Sequence, residues 1–174
     1  MPAPGRVVLI HGASSAGKST LARAVQAALP EPFTHLTFDH LIDSGALPRG
    51  PEWAAVREKV FDGWHRGVAA FGSSGADVIW DHIIESPAWH SDLRALFAGR
   101  DLFFVGLHCE LAELERREMA RGDRKPGDAA RDAAHIHAGK RYDLELRSED
   151  GAEANTSRVI AAWQARQGVS GFFG

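Results

Sequence analysis

The stretch VVLIHGASSAGKS, residues 7–19, decides the fold. Its first residues, Val7 to Ile10, form a continuous apolar run of the kind found in strands that are buried on both faces of a parallel sheet. Gly12 to Ser19 then fits the pattern G-x-x-x-x-G-K-[ST] in full. A helix is predicted directly after it, from about Lys18 to Leu29. A strand, a glycine-rich turn and a helix in this order are typical of a phosphate-binding loop.

The glycine-rich turn has the residues that phosphate binding requires. Glycines let the backbone curl until successive N–H groups point at one anion, and the start of the following helix adds partial positive charge. In such loops the lysine, here Lys18, reaches the β- and γ-phosphates, and the next hydroxyl, on Ser19, ligates Mg²⁺. We therefore predict a site for ATP and Mg²⁺. Its nucleotide-binding residues are Gly12, Ala13, Ser14, Ser15, Ala16, Gly17, Lys18, Ser19 and Thr20.

Apolar strands alternate with amphipathic helices along the rest of the chain. Further strands are predicted at 34–38, 77–81, 102–107 and 144–146, and helices at about 51–71, 87–97, 110–119, 129–140 and 152–167. This alternation is typical of a parallel sheet with helices on both faces. We predict a three-layer α/β fold of the P-loop NTPase type, with five parallel strands in a nucleotide-kinase-like arrangement. We expect a single domain over residues 1–174.

Two aspartates, Asp39 and Asp81, end the second and third predicted strands. Because parallel strands end on the same edge of the sheet as the loop, we expect both carboxylates to lie near the bound phosphates. A carboxylate there can hold Mg²⁺, can accept the proton of an attacking hydroxyl, or can cap a helix. Asp81 follows the apolar run 78–80, which is the Walker B pattern and favours the metal role. Asp39 stands where several small-molecule kinases place the residue that meets the acceptor.

A basic segment that contains glycine follows the helix predicted at 110–119. Arg121 and Arg124 lie in it, at about residues 121–128. Arginines on a mobile lid can close over a triphosphate and neutralise the charge of the phosphoryl group in transfer. The alternative is a basic loop that only faces solvent. We predict a lid in which both arginines are catalytic, together with Lys18 and Asp39.

Several segments occur in an order and spacing that resemble one family. They are the loop at 12–19, FDHLID at 38–43, VIWD at 78–81 and ARGDR at 120–124, followed by His137, Gly139, Tyr142 and Asp143. With these segments the chain resembles the chloramphenicol phosphotransferase-like family, from about residue 6 to residue 163. The resemblance implies a nucleotide-kinase-like fold and transfer of the γ-phosphate of ATP to a primary hydroxyl of the antibiotic. It further implies that Asp39 is the general base and that Arg121 and Arg124 carry the lid charges.

The composition of the chain argues against several other classes of protein. A net charge of −3 argues against a nucleic-acid partner, which requires clustered lysines and arginines. The nine histidines are not in that count, so the charge is expected to change near pH 6. The single cysteine, Cys109, excludes an intrachain disulfide and favours a cytoplasmic protein. No apolar run is long enough for a signal peptide or a membrane span. The sequence is compatible with a homo-oligomer.

Three functions fit these observations. The first is an O-phosphotransferase acting on a hydroxyl of an antibiotic, chloramphenicol or a relative. The second is a metabolic kinase for a sugar, a sugar acid or a nucleoside. The third is a nucleotide-binding regulatory module with no acceptor. A hydrophobic acceptor pocket with tryptophans, for which Trp53, Trp64 and Trp89 are candidates, favours the first. The sequence lacks the N-K-x-D motif that reads guanine, which argues against a GTPase switch.

Overall fold

The computed structural model describes residues 3–121 and 127–174. In these residues the strands are β1 (Val7–His11), β2 (Phe33–Thr37), β3 (Asp77–His82), β4 (Leu102–His108) and β5 (Leu144–Arg147). The helices are α1 (Lys18–Ala28), α2 (Asp39–Asp43), α3 (Gly50–Ser73), α4 (Pro87–Leu96), α5 (Leu111–Arg121), α6 (Asp128–Ala133) and α7 (Ala152–Ala165). Short 3₁₀ turns occupy Ser148–Asp150 and Gly171–Phe173. The five predicted strands are confirmed close to their predicted ends.

The five strands form one parallel sheet in the order β2-β3-β1-β4-β5. β1 lies at the centre, where Ile10 is in register with Asp81 of β3 and with Val105 of β4. The chain adds β2 and β3 on one side of β1 and β4 and β5 on the other. The carboxyl end of β1 is therefore the point at which the strand order reverses, and open α/β sheets bind their ligands at such points.

Alternate side chains of β1 enter two hydrophobic cores, one on each face of the sheet. Val8 and Ile10 pack with α1, α5 and α7, whereas Val7 and Leu9 pack with α3 and α4. Phe172, from the C-terminal tail, is fully buried in the second of these cores. All four residues of β1 named here are fully buried, as expected of a central strand covered by helices on both sides. The α/β fold with helices on both faces is confirmed.

The helix predicted at 129–140 is wrong in its second half. α6 ends at Ala133, and the chain then turns, with Gly139 at φ 68°. The carbonyl of Ile136 accepts a hydrogen bond from Nε2 of His11, 3.1 Å away. A continued helix would need that carbonyl for the N–H of Lys140, which bonds His137 instead. The buried hydrogen bond from His11, the last residue of β1, to the Ile136 carbonyl thus takes the place of the last predicted turns of this helix.

Two further features of the fold lie outside the sheet. α2 is a helix of five residues that begins one residue after β2 and carries Asp39 at its first position. Of the helices in the described ranges, none is both long and apolar enough to cross a membrane.

Candidate active site

A cleft of about 360 Å³ opens at the carboxyl ends of β1, β2 and β3. We name it the main cleft. Its walls come from the glycine-rich loop, from the segment after β2, from α3 and from α6. The lining residues that carry chemistry are Ser14, Ser15, Lys18, Ser19, Thr20, Thr37, Asp39, Arg57, Asp81, Glu85, Asp128, Arg131 and Asp132. The loop and both predicted aspartates therefore meet in one space.

Two features shape the backbone of the loop: Gly12 lies very close to β4, and two loop residues have a positive φ angle. A Cβ atom at Gly12 would lie 2.4 Å from the carbonyl oxygen of Leu107, so only glycine fits beside β4. Gly17, the residue before α1, has φ 94°, a value that glycine adopts at no steric cost. Ser15 has φ 64° and is the one non-glycine residue with positive φ in the described ranges. A left-handed serine costs of order 1 kcal/mol or more, and such strain concentrates at functional loops.

Side chains hold this loop from within and from α6. Nζ of Lys18 donates to the carbonyl of Ala13, 2.8 Å away, so the lysine lies across the loop. The N–H of Ser14 donates to the carboxylate of Asp132 at 3.0 Å. Asp132 is 2% exposed, and its other oxygen accepts from Arg131 at 3.0 Å. One loop N–H is thus already engaged by a buried carboxylate.

Asp81 is buried at the end of β3 and is held by two neighbours on β2. Its carboxylate oxygens accept from Oγ1 of Thr37 at 2.7 Å and from Nε2 of His35 at 2.8 Å. Burial raises the pKa of this carboxyl. The His35 bond, the charge of Lys18 and the Thr37 bond outweigh burial and lower the pKa below its usual value. Asp81 is therefore ionised at neutral pH, and it caps no helix because it lies inside a strand.

Asp39 is half-buried and lines the main cleft at the start of α2. Its own N–H approaches Oγ1 of Thr37 at 3.4 Å. The N-cap position of α2 is Phe38, and no side chain caps that helix. The helix-capping interpretation of Asp39 is therefore not supported.

Part of the wall of the main cleft is aromatic. Phe38, Trp53 and Phe61 line it, and the rings of Phe38 and Phe61 stack with centroids 4.2 Å apart. Arg57 lies over the Phe61 ring, with its guanidinium carbon 4.7 Å from the centroid. Nη2 of the same arginine donates to both oxygens of Glu85 at 2.7 Å. The cleft thus combines an apolar surface with an arginine whose charge is already paired.

A second cleft, of about 560 Å³, opens on the other side of the loop. It lies between the loop, α5 and the start of α7, and it shares Ser15, Gly17 and Thr20 with the main cleft. Arg117 of α5 and Ser148 border it, and Nη1 of Arg117 donates to the Ser148 hydroxyl at 2.8 Å. The Ser148 hydroxyl in turn donates to the carbonyl of Ala16 at 2.8 Å. This pair supports the loop from the side of β5.

The predicted lid lies mostly outside the described residues. Arg121 is the last residue of α5, but its side chain is outside the description, as is the whole of Arg124. The residues after this gap, Asp128 and Arg131, line the main cleft and bond each other at 2.8 Å. The catalytic roles predicted for Arg121 and Arg124 therefore stay predictions.

The family of the chain follows from comparison with known proteins. A model of the chloramphenicol phosphotransferase-like proteins matches residues 5–164. The chain belongs to the chloramphenicol phosphotransferase-like family. Proteins from two Mycobacterium tuberculosis strains, H37Rv and CDC 1551, are each 31% identical to it over 167 residues, which covers 82% of this chain and 74% of theirs. Both are named "Putative O-phosphotransferase".

Solved structures of kinases share the fold. Mycobacterium tuberculosis APS kinase CysC, in complex with AMPPNP and APS, has a TM-score of 0.73 at 22% identity and covers 94% of this chain and 99% of its own. A gluconokinase from Sinorhizobium meliloti has a TM-score of 0.62 at 18% identity, with 95% and 94% covered. The Deinococcus radiodurans tunicamycin resistance protein has a TM-score of 0.63 at 13% identity, with 92% and 96% covered. This member of the family therefore has a P-loop kinase fold, and its relatives support phosphotransfer of the kinase type.

Sequence reasoning missed several residues that line these clefts. Arg131 and Asp132 lay inside a predicted helix and were given no role. Arg57 was likewise treated only as a residue of the long helix α3. Ser148 follows the short edge strand β5, where no motif marked it. The one sequence feature that could have identified Ser148 was its position directly after a strand, because residues after the carboxyl ends of parallel strands meet at the ligand-binding edge of the sheet.

Proposed function

We propose that this protein is an ATP-dependent O-phosphotransferase that moves the γ-phosphate to a hydroxyl of a small, uncharged molecule with an aromatic or apolar face. An antibiotic such as chloramphenicol or a relative is the acceptor class we favour. One observation carries the proposal: the two clefts meet at Ser15 and Gly17 of the loop and at Thr20 of α1. A nucleotide with its base in the second cleft would extend its phosphates along the loop into the main cleft, beside Asp39.

The loop and its neighbours suit a triphosphate with Mg²⁺. The N–H groups of residues 12–19 and the ammonium of Lys18 would bind the phosphate oxygens. The Ser19 hydroxyl and the ionised Asp81 would hold the metal, since hydroxyl and carboxylate oxygens are ligands that Mg²⁺ accepts. Bound Mg²⁺ would neutralise charge that develops on the phosphate oxygens. The fixed bonds from His35 and Thr37 keep the Asp81 carboxylate oriented for that role.

Asp39 would act as the general base. It would take the proton of the acceptor hydroxyl as the oxygen forms its bond to the γ-phosphorus and the bond to the β–γ bridging oxygen breaks, which leaves ADP. Arg121 and Arg124 would stabilise the charge of the transferring group. This division of roles relies on placement and charge rather than on a covalent intermediate.

The walls of the main cleft support an uncharged acceptor. Phe38, Trp53 and Phe61 offer aromatic surface. The two arginines on this side within the described ranges are each paired: Arg57 with Glu85, and Arg131 with two carboxylates of α6. An anionic acceptor such as a sugar acid would require a cation to pair with it, and these two are already engaged. The arrangement favours the antibiotic-type acceptor over the sugar-acid alternative.

The proposal is tested by a search for product. The protein, ATP and Mg²⁺ are incubated with chloramphenicol, other antibiotics and common metabolites, and phosphorylated products are detected by mass spectrometry. We expect transfer to a neutral aromatic alcohol. Hydrolysis of ATP without any phosphorylated acceptor would instead support a regulatory module.

The role of Asp39 is tested with a variant and a matched control. Asp39→Asn should lower kcat by roughly 10²–10⁴ if the carboxylate takes the proton, while ATP affinity stays nearly the same. Asp43→Asn changes an exposed aspartate at the other end of α2 and should leave kcat unchanged. Equal turnover in the wild type and in Asp39→Asn would remove Asp39 from the mechanism.

A further inference from the structure

The second cleft contains a buried acceptor atom without a partner. Asn155, in the first turns of α7, lines this cleft and is 2% exposed. Its Nδ2 donates to the carbonyl of Arg147 at 2.7 Å. Its Oδ1 is shielded from solvent and has no hydrogen-bond partner among the described residues. Buried side-chain oxygens are rarely left unpaired, so each exception calls for an explanation.

The amide of Asn155 is locked in one orientation. Exchange of its oxygen and nitrogen would place Oδ1 against the Arg147 carbonyl, so that two acceptors would face each other. The side chain therefore presents an acceptor, and not a donor, as its unpaired group. A ligand that donates a hydrogen bond at this position would gain the bond, whereas a ligand that brings an acceptor would leave two unpaired oxygens.

The rest of the second cleft suits a planar heteroaromatic ring. Leu21 and Leu107 supply apolar surface. Arg117 borders the same space, and its guanidinium is fixed by Nε to Glu113 at 2.6 Å and by Nη1 to Ser148 at 2.8 Å. A planar guanidinium held in place is a surface on which aromatic rings stack.

We propose that Oδ1 of Asn155 accepts a hydrogen bond from the 6-amino group of the adenine ring and thereby selects ATP over nucleotides with a 6-oxo purine. This inference rests on the proposed function, which brings the triphosphate to the loop that both clefts share. Adenine donates at position 6, and hypoxanthine and guanine accept there. Asn155 is thus a residue that determines nucleotide specificity and takes no part in the chemical step.

The test compares ATP with inosine triphosphate (ITP), which differs in the group at position 6. Binding of each to the full chain with Mg²⁺, without acceptor, is measured by calorimetry. The wild type should bind ATP roughly ten- to a hundredfold more tightly than ITP, the range expected when a buried acceptor is left unpaired. Purine riboside triphosphate, which has neither group at position 6, should bind with intermediate affinity.

Two variants separate base reading from a structural role. Asn155→Leu and Asn155→Asp both lose the bond to the Arg147 carbonyl, but only the aspartate keeps an acceptor in the cleft. We expect Asn155→Asp to bind both nucleotides more weakly, because its second oxygen faces the Arg147 carbonyl, but to retain the preference for ATP. Asn155→Leu should bind the two nucleotides with affinities within about threefold. A merely structural asparagine would weaken both nucleotides equally and leave the ratio unchanged.

Each outcome decides between the two proposals. Equal affinity of the wild type for ATP and ITP overturns the role of Asn155 and leaves the proposed function standing. If Asn155→Leu still prefers ATP over ITP, the role proposed for Asn155 is overturned as well. If the wild type binds none of the three nucleotides, the proposed function fails together with this inference. Should Asn155→Leu not fold, the affinities of the wild type for the three ligands still test the role of Asn155.

Discussion

Three buried histidines should make the fold sensitive to mild acid. His11 is fully buried, and His65 and His82 are each 4% exposed. Burial, followed by the charge of Lys140, lowers the pKa of His11 well below its usual value. Burial, followed by the neighbouring His65, does the same for the pKa of His82, and burial lowers the pKa of His65 to about 4. His65 and His82 bond each other through their Nε2 atoms at 2.9 Å, which requires at least one neutral ring.

The sign and size of the effect follow from linkage. In the unfolded chain a histidine titrates near pH 6.5, above its value in the folded protein. As the pH falls below 6.5, the unfolded state binds the proton first, so stability is lost down to the folded pKa. Between pH 7.5 and pH 5.5 each such histidine removes about 1.4 kcal/mol, and the three together about 4 kcal/mol. That is a large part of the ~5–15 kcal/mol by which domains are usually stable.

Urea unfolding at the two pH values, followed by circular dichroism, measures this loss. We expect the free energy of unfolding to fall by at least about 3 kcal/mol from pH 7.5 to pH 5.5. A variant of the exposed His135, His135→Gln, should show the same fall, since its ring lies on the surface. A decrease of less than about 1 kcal/mol would refute the assignment of neutral, buried rings.

Two further predictions concern residues that shape the site and its support. Ser148→Ala removes the hydroxyl that bonds both Ala16 and Arg117. Because this loss amounts to about 1 kcal/mol, calorimetry should show the affinity for ATP reduced roughly fivefold. An unchanged affinity would contradict the supporting role of Ser148. Gly106→Ala places a Cβ atom 2.7 Å from the ring of Tyr142 and should lower the free energy of unfolding in urea by about 1–3 kcal/mol. Gly67→Ala is its control: Gly67 lies inside α3 with open space around it, and a slight gain in stability is expected.

The strand pattern and the loop could be predicted because they depend on local sequence. Val7 to Ile10 is apolar at every position, which only a strand covered on both faces requires. The loop motif fixes its own context of strand and helix. Asp39 and Asp81 followed from the rule that parallel strands end on one edge, and both line the main cleft. Their chemical roles stay predictions, as do those of Arg121 and Arg124.

The remaining site residues depend on contacts between distant segments. Asp132 bonds Ser14 across 118 positions of the chain, and no sequence pattern in either segment predicts that contact. α6 was predicted too long because helical propensity continues past Ala133, whereas the bond from His11 to Ile136 ends the helix from outside. Asn155 reads as an ordinary polar residue of a helix, and only its burial beside Arg147 distinguishes it. Tertiary contacts override local preference at each of these places.

Strand register explains why a carboxylate after β2 can serve a loop after β1, although β3 lies between them. Thr37, Asp81 and Ile10 stand side by side in one row across the three strands. Two residues after this row, β1 has run into the loop at Gly12 and β2 has run into α2 at Asp39, and the loop and Asp39 line the main cleft. Between them the buried Asp81 fills the row below. A shift of β2 by one residue would turn Thr37 to the opposite face and break its bond to Asp81, so the pairing of these strands sets the geometry on which phosphotransfer would depend.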